Sequence, residues 1–540
     1  MKNKKMDIWT YVSLGIAALL ILFLVFPLVN LLREAVFIDG QFTLVQFQKF
    51  FSKPYYFMSI FNSTKVALAV TFFSLFIGIP FSYFYSFYNI RGKKLIFVLL
   101  LLSTMSAPYI GAYAWILLMG NSGLITNILK GVGINGFNIY GYWGIVFVQT
   151  LKLFPLVVIY MNGAFKNIDS SLLDAAESMG CVGVERVKEV ILKLSIPTVS
   201  AAALLVFMRS FADFGTPILV GRGYSTFPVL IFNQYLGETG TNYHFAAAIS
   251  VIAVVVTGLI FVLQKLISNQ FKFTISAMNP ITPKDFKGKG KILSTVFNFV
   301  LLITALLPQV YIAFMSFKNY NNSIMMPGYS LNNYRAAIER NLFRAIGNTL
   351  TVSIAALVII VVIAVLIAYL VVRRSNLFNN SLDTISMLPY IMPGGVIGIA
   401  LIISFSKAPF YLSGTLWIMI IALAIRRLPF TSRSATAAMM QVSESVEEAA
   451  ISLGASKLAS FIKITVPMMS SGIIAGAILS WVSIITEMSS GVILYNNRTI
   501  TLTLGTYVAV NNGTHGIAAV FATVTGIITI LCLIVYLQFA

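Results

Sequence analysis

The sequence predicts an all-α membrane protein with about 12 transmembrane helices, arranged as two parallel six-helix repeats. Composition is the first reason: 58% of the 540 residues are hydrophobic and only 10% are charged, whereas a soluble domain carries about 25% charged residues. Disorder is excluded as well, because it requires low hydrophobicity. The second reason is a series of apolar runs long enough to cross a bilayer as helices, and the third is an internal repeat.

Twelve apolar runs predict the helices, six in each half of the chain. The first six are 10–33, 60–89, 95–118, 141–163, 197–220 and 244–267; the second six are 292–316, 346–372, 383–405, 412–432, 467–493 and 516–539. A polar, lysine-rich stretch separates the two sets, so the predicted domains are 1–267, a cytoplasmic linker 268–291, and 292–540. No small-residue cleavage site follows the first run, which predicts a retained helix rather than a removed signal peptide.

The basic residues predict the orientation of these helices. With the N-terminus in the cytoplasm, the inner segments hold 21 Lys and Arg residues and the outer segments hold 11, as the positive-inside rule expects. Arg335, Arg340 and Arg344 are an exception, since they cluster on the outer side. Each half has an even number of predicted helices, so both enter the membrane from the same side as parallel repeats.

The rest of the composition excludes several classes of protein. The net charge of +20 lies largely in short loops between apolar runs, so membrane topology explains it and no nucleic-acid partner is expected. Two cysteines, Cys181 and Cys532, and two histidines, His244 and His515, argue against a disulfide framework or a metal site. No catalytic residues are predicted, because the chain offers no clustered carboxylates and no plausible pair of a nucleophile and a base.

An internal repeat becomes visible when the sequence is shifted by 274 residues. The matched positions are Trp143 and Trp417, Lys152 and Arg426, Pro155 and Pro429, Ala175-Ala176 and Ala449-Ala450, Gly180 and Gly454, and Asp213 and Glu487. Chance similarity between apolar helices does not explain matches at Trp, Pro, Gly and charged residues. Near the start of each half, Asn62 pairs with Asn348 at an offset of 286, so the loops between differ in length.

The repeated segment after the fourth predicted helix of each half has an unusual pattern. It reads Asp174-Ala-Ala-Glu-Ser-Met-Gly180 in the first half and Glu448-Ala-Ala-Ile-Ser-Leu-Gly454 in the second. The pattern predicts a helix, a glycine elbow, a second helix, and then a transmembrane helix that begins near Pro197 or Pro467. From acid to proline the first copy is four residues longer, about one helical turn, which weakens the match between Asp213 and Glu487.

This segment resembles the EAA loop of ABC-importer permeases, in which Glu-Ala-Ala is followed by three residues, Gly, nine residues and Ile-x-Leu-Pro. Two copies on one chain are similar to the fused permeases of the binding-protein-dependent ferric-iron, thiamine and aminoethylphosphonate importers, and Ser210–Pro217 looks most like the ferric-iron type. The resemblance implies a type I importer fold in a bacterial plasma (inner) membrane, with a separate extracellular or periplasmic binding protein. It also implies coupling to two copies of a cytoplasmic ABC ATPase through Asp174, Ala175, Ala176, Gly180, Glu448, Ala449, Ala450 and Gly454.

No nucleotide-binding motif accompanies these loops. The nearest approach to Gly-x-x-x-x-Gly-Lys-Ser/Thr is Gly288-Lys-Gly-Lys291, which continues with Ile292 and lacks the hydroxyl that would ligate Mg²⁺. The chain is therefore not expected to be an enzyme or to hold a cofactor, and ATP and Mg²⁺ are expected on the partner subunit.

Five ionisable residues are candidates for the passage or its gate, because charges inside a bilayer are costly. They are Lys152, Arg209, Asp213, Arg426 and Glu487. Arg209 and Asp213 are spaced i, i+4 and can pair on one helix face. Two interpretations remain open, namely pairs that fix helix packing and residues that contact the substrate. Proline breaks at Ala107–Ile110 and Leu388–Pro393 are either hinges or kinked packing helices.

Ferric iron is the predicted substrate, with phosphonates or phosphate esters, thiamine and polyamines as alternatives. A proton-coupled secondary transporter that uses Asp213 and Glu487 as proton carriers would explain the parallel repeat equally well. It does not explain two matching Ala-Ala-x-x-x-Gly loops. A membrane-embedded enzyme is disfavoured by the scarcity of histidine.

Overall fold

The computed structural model describes residues 7–104, 107–136, 138–236, 242–270, 279, 281–283, 285, 289–321 and 324–539. Most of the predicted linker 268–291, together with Lys2, Lys4 and Lys5, lies outside the described residues. Helices make up most of the described chain. Two short antiparallel hairpins accompany them, β1 (Phe37–Ile38) with β2 (Gln41–Phe42), and β3 (Lys318–Asn321) with β4 (Ile324–Tyr329).

The described part of the first half folds into fourteen helices. They are α1 (Ile8–Leu20), α2 (Phe26–Val36), α3 (Val45–Ser52), α4 (Pro54–Phe87), α5 (Lys93–Thr104), α6 (Pro108–Met119), α7 (Leu124–Gly131), α8 (Tyr142–Lys166), α9 (Ser170–Ser178), α10 (Gly183–Arg186), α11 (Leu192–Phe211), α12 (Gly215–Val220), α13 (Phe227–Leu236) and α14 (Tyr243–Gln270). A π-helical turn, Ile21–Val25, joins α1 to α2, and another, Val187–Ile191, joins α10 to α11.

The second half repeats the same order with small differences. Its helices are α15 (Lys289–Met315), α16 (Asn332–Glu339), α17 (Leu342–Arg373), α18 (Leu377–Ile391), α19 (Gly394–Phe405), α20 (Leu416–Gln441), α21 (Glu444–Ser452), α22 (Lys457–Ser460), α23 (Val466–Met468), α24 (Ser470–Ile485), α25 (Gly491–Leu494), α26 (Leu502–Asn511) and α27 (His515–Phe539). A third π-helical turn, Phe461–Thr465, joins α22 to α23.

Within the described ranges, nine helices are long and apolar enough to cross a membrane, and two bent pairs raise that number to 11. The tenth predicted run corresponds to α20, which lies outside this apolar class because it carries Arg426, Arg427 and Arg433. The α18–α19 pair bends by 111°, at the predicted proline break. The predicted run 95–118 is likewise divided, between α5 and α6.

The described helices pack into two compact units that do not follow the order of the chain. One unit comprises Met1–Ser52, Ile231–Val254 and Ser316–Ala540, and the other comprises Lys53–Leu230 and Val255–Met315. The first helix of each half therefore packs in the unit built mainly from the other half: α1 and α2 contact α17, α18 and α19, whereas α15 contacts α4, α5, α6 and α8. The predicted domains 1–267 and 292–540 describe the repeat rather than these units, and they stay a prediction.

Two different sequence offsets relate equivalent residues of the two halves. At an offset of 286, α6 corresponds to α19, and the amide of Asn62 donates to Ser225 O (3.0 Å) as that of Asn348 donates to Ile500 O (2.9 Å). The loop after α6 is 12 residues longer than the loop after α19, which reduces the offset to 274 from α8 and α20 onward.

The expected four-residue insertion in the first copy is wrong. The offset of 274 holds from α9 and α21 through α10 and α22 to the helix ends at Phe211 and Ile485. Lys193, not Pro197, is the counterpart of Pro467. Pro197 lies inside α11 rather than at the start of a transmembrane helix. The equivalence of Asp213 and Glu487 is therefore not weakened by a change in length.

Candidate functional site: two elbows and two buried polar clusters

Each half carries an elbow, defined here as residues 170–186 in the first half and 444–460 in the second. A helix, α9 or α21, ends at a glycine with a left-handed backbone, with φ of +83° at Gly180 and +94° at Gly454. The next N–H closes each turn, from Cys181 to Ala176 O (2.9 Å) and from Ala455 to Ala450 O (3.1 Å). This C-terminal cap requires φ > 0, which only glycine adopts without strain.

The predicted coupling residues have the same exposure in both elbows. Asp174 and Ala175 are exposed in the first, as are Glu448 and Ala449 in the second. Their neighbours Ala176 and Ala450 are buried against the rest of the chain. The acid and one alanine of each motif therefore face outward, while the second alanine lets the elbow lie close to the helices beneath it.

A large apolar side chain stands at the tip of each elbow, directly before the glycine. Met179 is 81% exposed and Leu453 is 90% exposed. The residues lie at equivalent positions in the repeat, so the exposure is a property of the elbow rather than of one side chain. A single exposed apolar residue is ordinary on a protein surface, but two related by the repeat make the tips candidates for contact with another molecule.

The second elbow is attached to its unit by a polar network that the sequence did not reveal. Glu447 is buried, accepts a hydrogen bond from the hydroxyl of Tyr369, and lies 3.7 Å from Nε of Arg373. Arg373 also donates to the carbonyl of Val442, just before α21. In the first elbow the equivalent position is Leu173, which is buried among apolar side chains. The only sequence signal for Glu447 was its place beside the motif acid Glu448.

The start of α1 contacts the second elbow as well. Asp7 lies 3.2 Å from Nζ of Lys457 and 3.7 Å from a guanidinium nitrogen of Arg374. Trp9 packs on Tyr369 with ring centroids 4.2 Å apart. The first residues of α1 and the second elbow therefore lie at the same end of this unit.

Two of the predicted passage residues meet in the second half. Arg426 and the unpredicted Arg427 both form ion pairs with the buried carboxylate of Glu487. Ser489 accepts from Arg426 (2.7 Å) and donates to Glu487 (2.6 Å). The guanidinium of Arg426 packs so closely on α19 that a Cβ atom at Gly394 would overlap with it.

In the first half, two uncharged groups donate hydrogen bonds to the equivalent acid. Asp213 accepts hydrogen bonds from Nε2 of Gln149 (3.0 Å) and from the N–H of Gly215 (3.0 Å). Lys152 lies in α8 and Arg209 in the last turn of α11. Gln149 is uncharged, so the pattern of charges in the sequence did not reveal it. The predicted i, i+4 pairing of Arg209 with Asp213 stays a prediction.

Neither the elbows nor these clusters resemble a metal centre. Among the described residues there is no group of three or more His, Cys, Asp and Glu side chains that could hold a metal ion. The geometry can support two kinds of event, namely docking of another protein at the elbows and relative movement of helices joined by buried polar contacts.

This chain is similar in sequence to known membrane transport proteins. The family model of the binding-protein-dependent transport system inner membrane component matches residues 68–272 and 360–540. The ferric transport system permease protein FbpB of Actinobacillus pleuropneumoniae is 26% identical over 524 residues, which are 95% of this chain and 75% of that protein. The Fe(3+)-transport system permease protein FbpB 2 of Haemophilus influenzae is 21% identical over 465 residues, 85% of this chain and 86% of that protein.

Among solved structures, one chain of the crystal structure of a bacterial alginate ABC transporter in complex with alginate pentasaccharide-bound periplasmic protein aligns with a TM-score of 0.43 and 17% identity, over 51% of this chain and 98% of that chain. The family model covers the larger part of this chain and matches both repeats. The chain therefore belongs to the binding-protein-dependent transport system inner membrane component family, and it is a multi-pass permease subunit of an ABC importer.

Proposed function

We propose that this permease forms the passage for ferric iron and is driven through its two elbows by two copies of a cytoplasmic ABC ATPase. ATP and Mg²⁺ are held by the ATPase, and closure of the ATPase dimer moves the two halves from an inward-open to an outward-open state. The observation that carries the proposal is the pair of equivalent elbows, each with a glycine cap, an exposed acid and an exposed apolar tip.

The exposed tips make docking energetically reasonable. Burying a Leu or Met side chain in a partner groove contributes about 1.5–3 kcal/mol. One tip alone supports only weak binding. Two tips that engage a dimeric partner together bind far more tightly, because the second contact forms at a high effective concentration.

The same contacts support a cytoplasmic N-terminus. Asp7 forms ion pairs with Lys457 of the second elbow and with Arg374, so α1 starts at the elbow end of its unit. Arg373 and Arg374 add positive charge to this end, which agrees with the positive-inside rule. If the elbows contact a cytoplasmic ATPase, the N-terminus is cytoplasmic too.

Iron as the substrate is supported by three ferric permeases among the relatives and by the segment Ser210–Pro217. A binding protein outside the membrane delivers the substrate, and the family description, a binding-protein-dependent transport system, supports this. Lys152, Arg209, Asp213, Arg426 and Glu487 are proposed to line or gate the passage.

Reconstitution tests the proposal. The permease, the ATPase and the ferric-binding protein encoded with it are placed in proteoliposomes, and uptake of radioactive Fe³⁺ is measured with and without ATP. We expect ATP-dependent uptake that protonophores do not abolish. Uptake driven by a proton gradient without the ATPase would refute the proposal, and transport of phosphonate, thiamine or polyamine instead of iron would refute the substrate.

A matched pair of variants tests the docking surface. Leu453→Asp should abolish co-purification of the ATPase, because it places a charge in an apolar contact. Leu377→Asp is the control, since Leu377 is 86% exposed at the start of α18 and lies outside the elbow. The assignment would be contradicted if both variants lost the ATPase equally, or if neither variant lost it.

A further inference from the structure

The outer arginines of the second half lie on one exposed surface. It is defined here as the arginine surface and comprises Leu331, Arg335, Ile338, Arg340, Phe343 and Arg344, all of them exposed. Arg335 and Ile338 belong to α16, whereas Phe343 and Arg344 belong to the first turn of α17. Large apolar side chains and guanidinium groups thus alternate along fourteen consecutive residues.

These arginines have no partner in the described part of the chain. No carboxylate there lies within ion-pairing distance of Arg335, Arg340 or Arg344, and Glu339 between them is exposed and forms no ion pair either. Another cation assigned to the outer side, Lys49, lies over the ring of Phe245 at 4.3 Å.

The local backbone also disfavours one of these charges. Arg344 is the third residue of α17, and the N-terminal turn of a helix carries a partial positive charge that favours acids rather than cations. Three arginines in this segment also run against the positive-inside rule. Neither intramolecular pairing nor topology therefore explains them, and both conflicts would be relieved by an acidic partner.

The arginine surface lies at the opposite end of α17 from the second elbow. Arg373, which contacts Glu447, is 29 residues after Arg344 in this one helix, so the two ends are about 44 Å apart at 1.5 Å per residue. That distance exceeds the roughly 30 Å of a hydrocarbon core. The uninterrupted apolar stretch of α17 runs from Ile354 to Val372, so Arg344 lies about 15 Å before it. That is past the depth of a headgroup layer, and the preceding α16 is outside the stretch altogether.

We propose that the arginine surface docks an acidic face of the extracytoplasmic binding protein. This inference rests on the proposed function, because the elbows define the cytoplasmic end. Arginine and aromatic side chains are enriched at protein interfaces, and guanidinium–carboxylate hydrogen bonds are stronger than neutral ones. A protein partner fits better than lipid headgroups, since the surface extends past the headgroup layer and presents Leu331, Ile338 and Phe343 among its charges.

The test uses the complete permease–ATPase complex in nanodiscs and the binding protein encoded beside this chain, with association followed by biolayer interferometry. Each single reversal, Arg335→Glu, Arg340→Glu or Arg344→Glu, should weaken binding about two- to five-fold in 50 mM NaCl, and the triple variant by about ten-fold or more, mainly through slower association. The difference should shrink strongly near 1 M salt because the charges are screened.

A second triple variant is the control for charge alone. It combines Lys53→Glu, Lys130→Glu and Lys407→Glu, which reverse three exposed lysines in other segments assigned to the outer side, and it should bind almost normally. Unchanged basal ATPase activity in both triple variants shows that they are folded.

The outcomes separate this inference from the proposed function. If the wild type binds the binding protein and the triple arginine variant binds it equally well, the inference is wrong and the proposed function still stands. The inference also fails, with the proposed function intact, if the two triple variants lose affinity equally, or if the arginine variant alters only the dependence of activity on phosphatidylglycerol. Absence of binding and uptake in wild type would overturn both.

Discussion

Replacement of Gly454 by alanine is expected to disable the second elbow without unfolding the protein. Gly454 has φ of +94°, a conformation that costs an L-residue roughly 1–2 kcal/mol. A Cβ atom at this position meets nothing within 4 Å, so backbone strain is the whole penalty. A penalty of that size lowers the population of the capped elbow about 5- to 30-fold.

The assay is the number of ATP molecules hydrolysed per substrate transported in proteoliposomes. Gly454→Ala should raise this ratio and weaken co-purification of the ATPase. Gly454→Asn should retain much of the coupling, because asparagine tolerates the left-handed region better than other residues with a Cβ atom. Gly347→Ala is the control, since Gly347 lies inside α17 with open space around it, where alanine is favourable.

Two results would refute the reasoning. Wild-type coupling in Gly454→Ala would show that docking does not depend on the left-handed cap. Equal defects in the alanine and asparagine variants would show that the loss comes from something other than backbone strain. The same pair of substitutions at Gly180, with φ of +83°, should behave alike if the elbows are equivalent.

Three further substitutions test the buried contacts. Gly394→Ala places a Cβ atom in overlap with Ser489 Oγ and should destabilise by about 1–3 kcal/mol, whereas Gly395→Ala meets no atom closer than 3.7 Å and should have little effect on the melting temperature in detergent. Glu487→Gln leaves one buried and one partly buried arginine without their carboxylate and should cost about 3–5 kcal/mol; an unchanged melting temperature would show that the cluster is well solvated. Glu447→Gln should weaken its charge-assisted hydrogen bond and increase hydrogen exchange in α21, and unchanged exchange would refute a positioning role.

Some features that the sequence did not reveal have a common physical cause. Glu447 and Glu448 are adjacent acids, yet one is buried and the other exposed, because successive residues of a helix point in directions about 100° apart. Which direction faces inward depends on where α17 lies, and Tyr369 is 78 residues away from Glu447 in the chain. The ion pair of Arg427 with Glu487 likewise joins residues 60 positions apart.

Matching by residue type caused the error in the segment that follows the first elbow. Pro197 and Pro467 are both prolines near the start of an apolar run, so they align by type. The backbone shows that a helix beginning earlier includes Pro197, whereas the second half bends by 72° between the helix that ends at Met468 and α24. The difference lies in the path of the helices rather than in the number of residues.

The amino-acid sequence alone determined the helical membrane fold, the repeat and the glycine elbows. Those features follow from local rules: a bilayer leaves backbone groups no partner except the helix itself, and glycine readily adopts a left-handed backbone. Only the tertiary structure decided which first helix packs in which unit, which acid of the second elbow is buried, and how Arg426 and Arg427 share Glu487. These choices depend on contacts between residues far apart in the chain, and no periodicity or motif encodes such contacts.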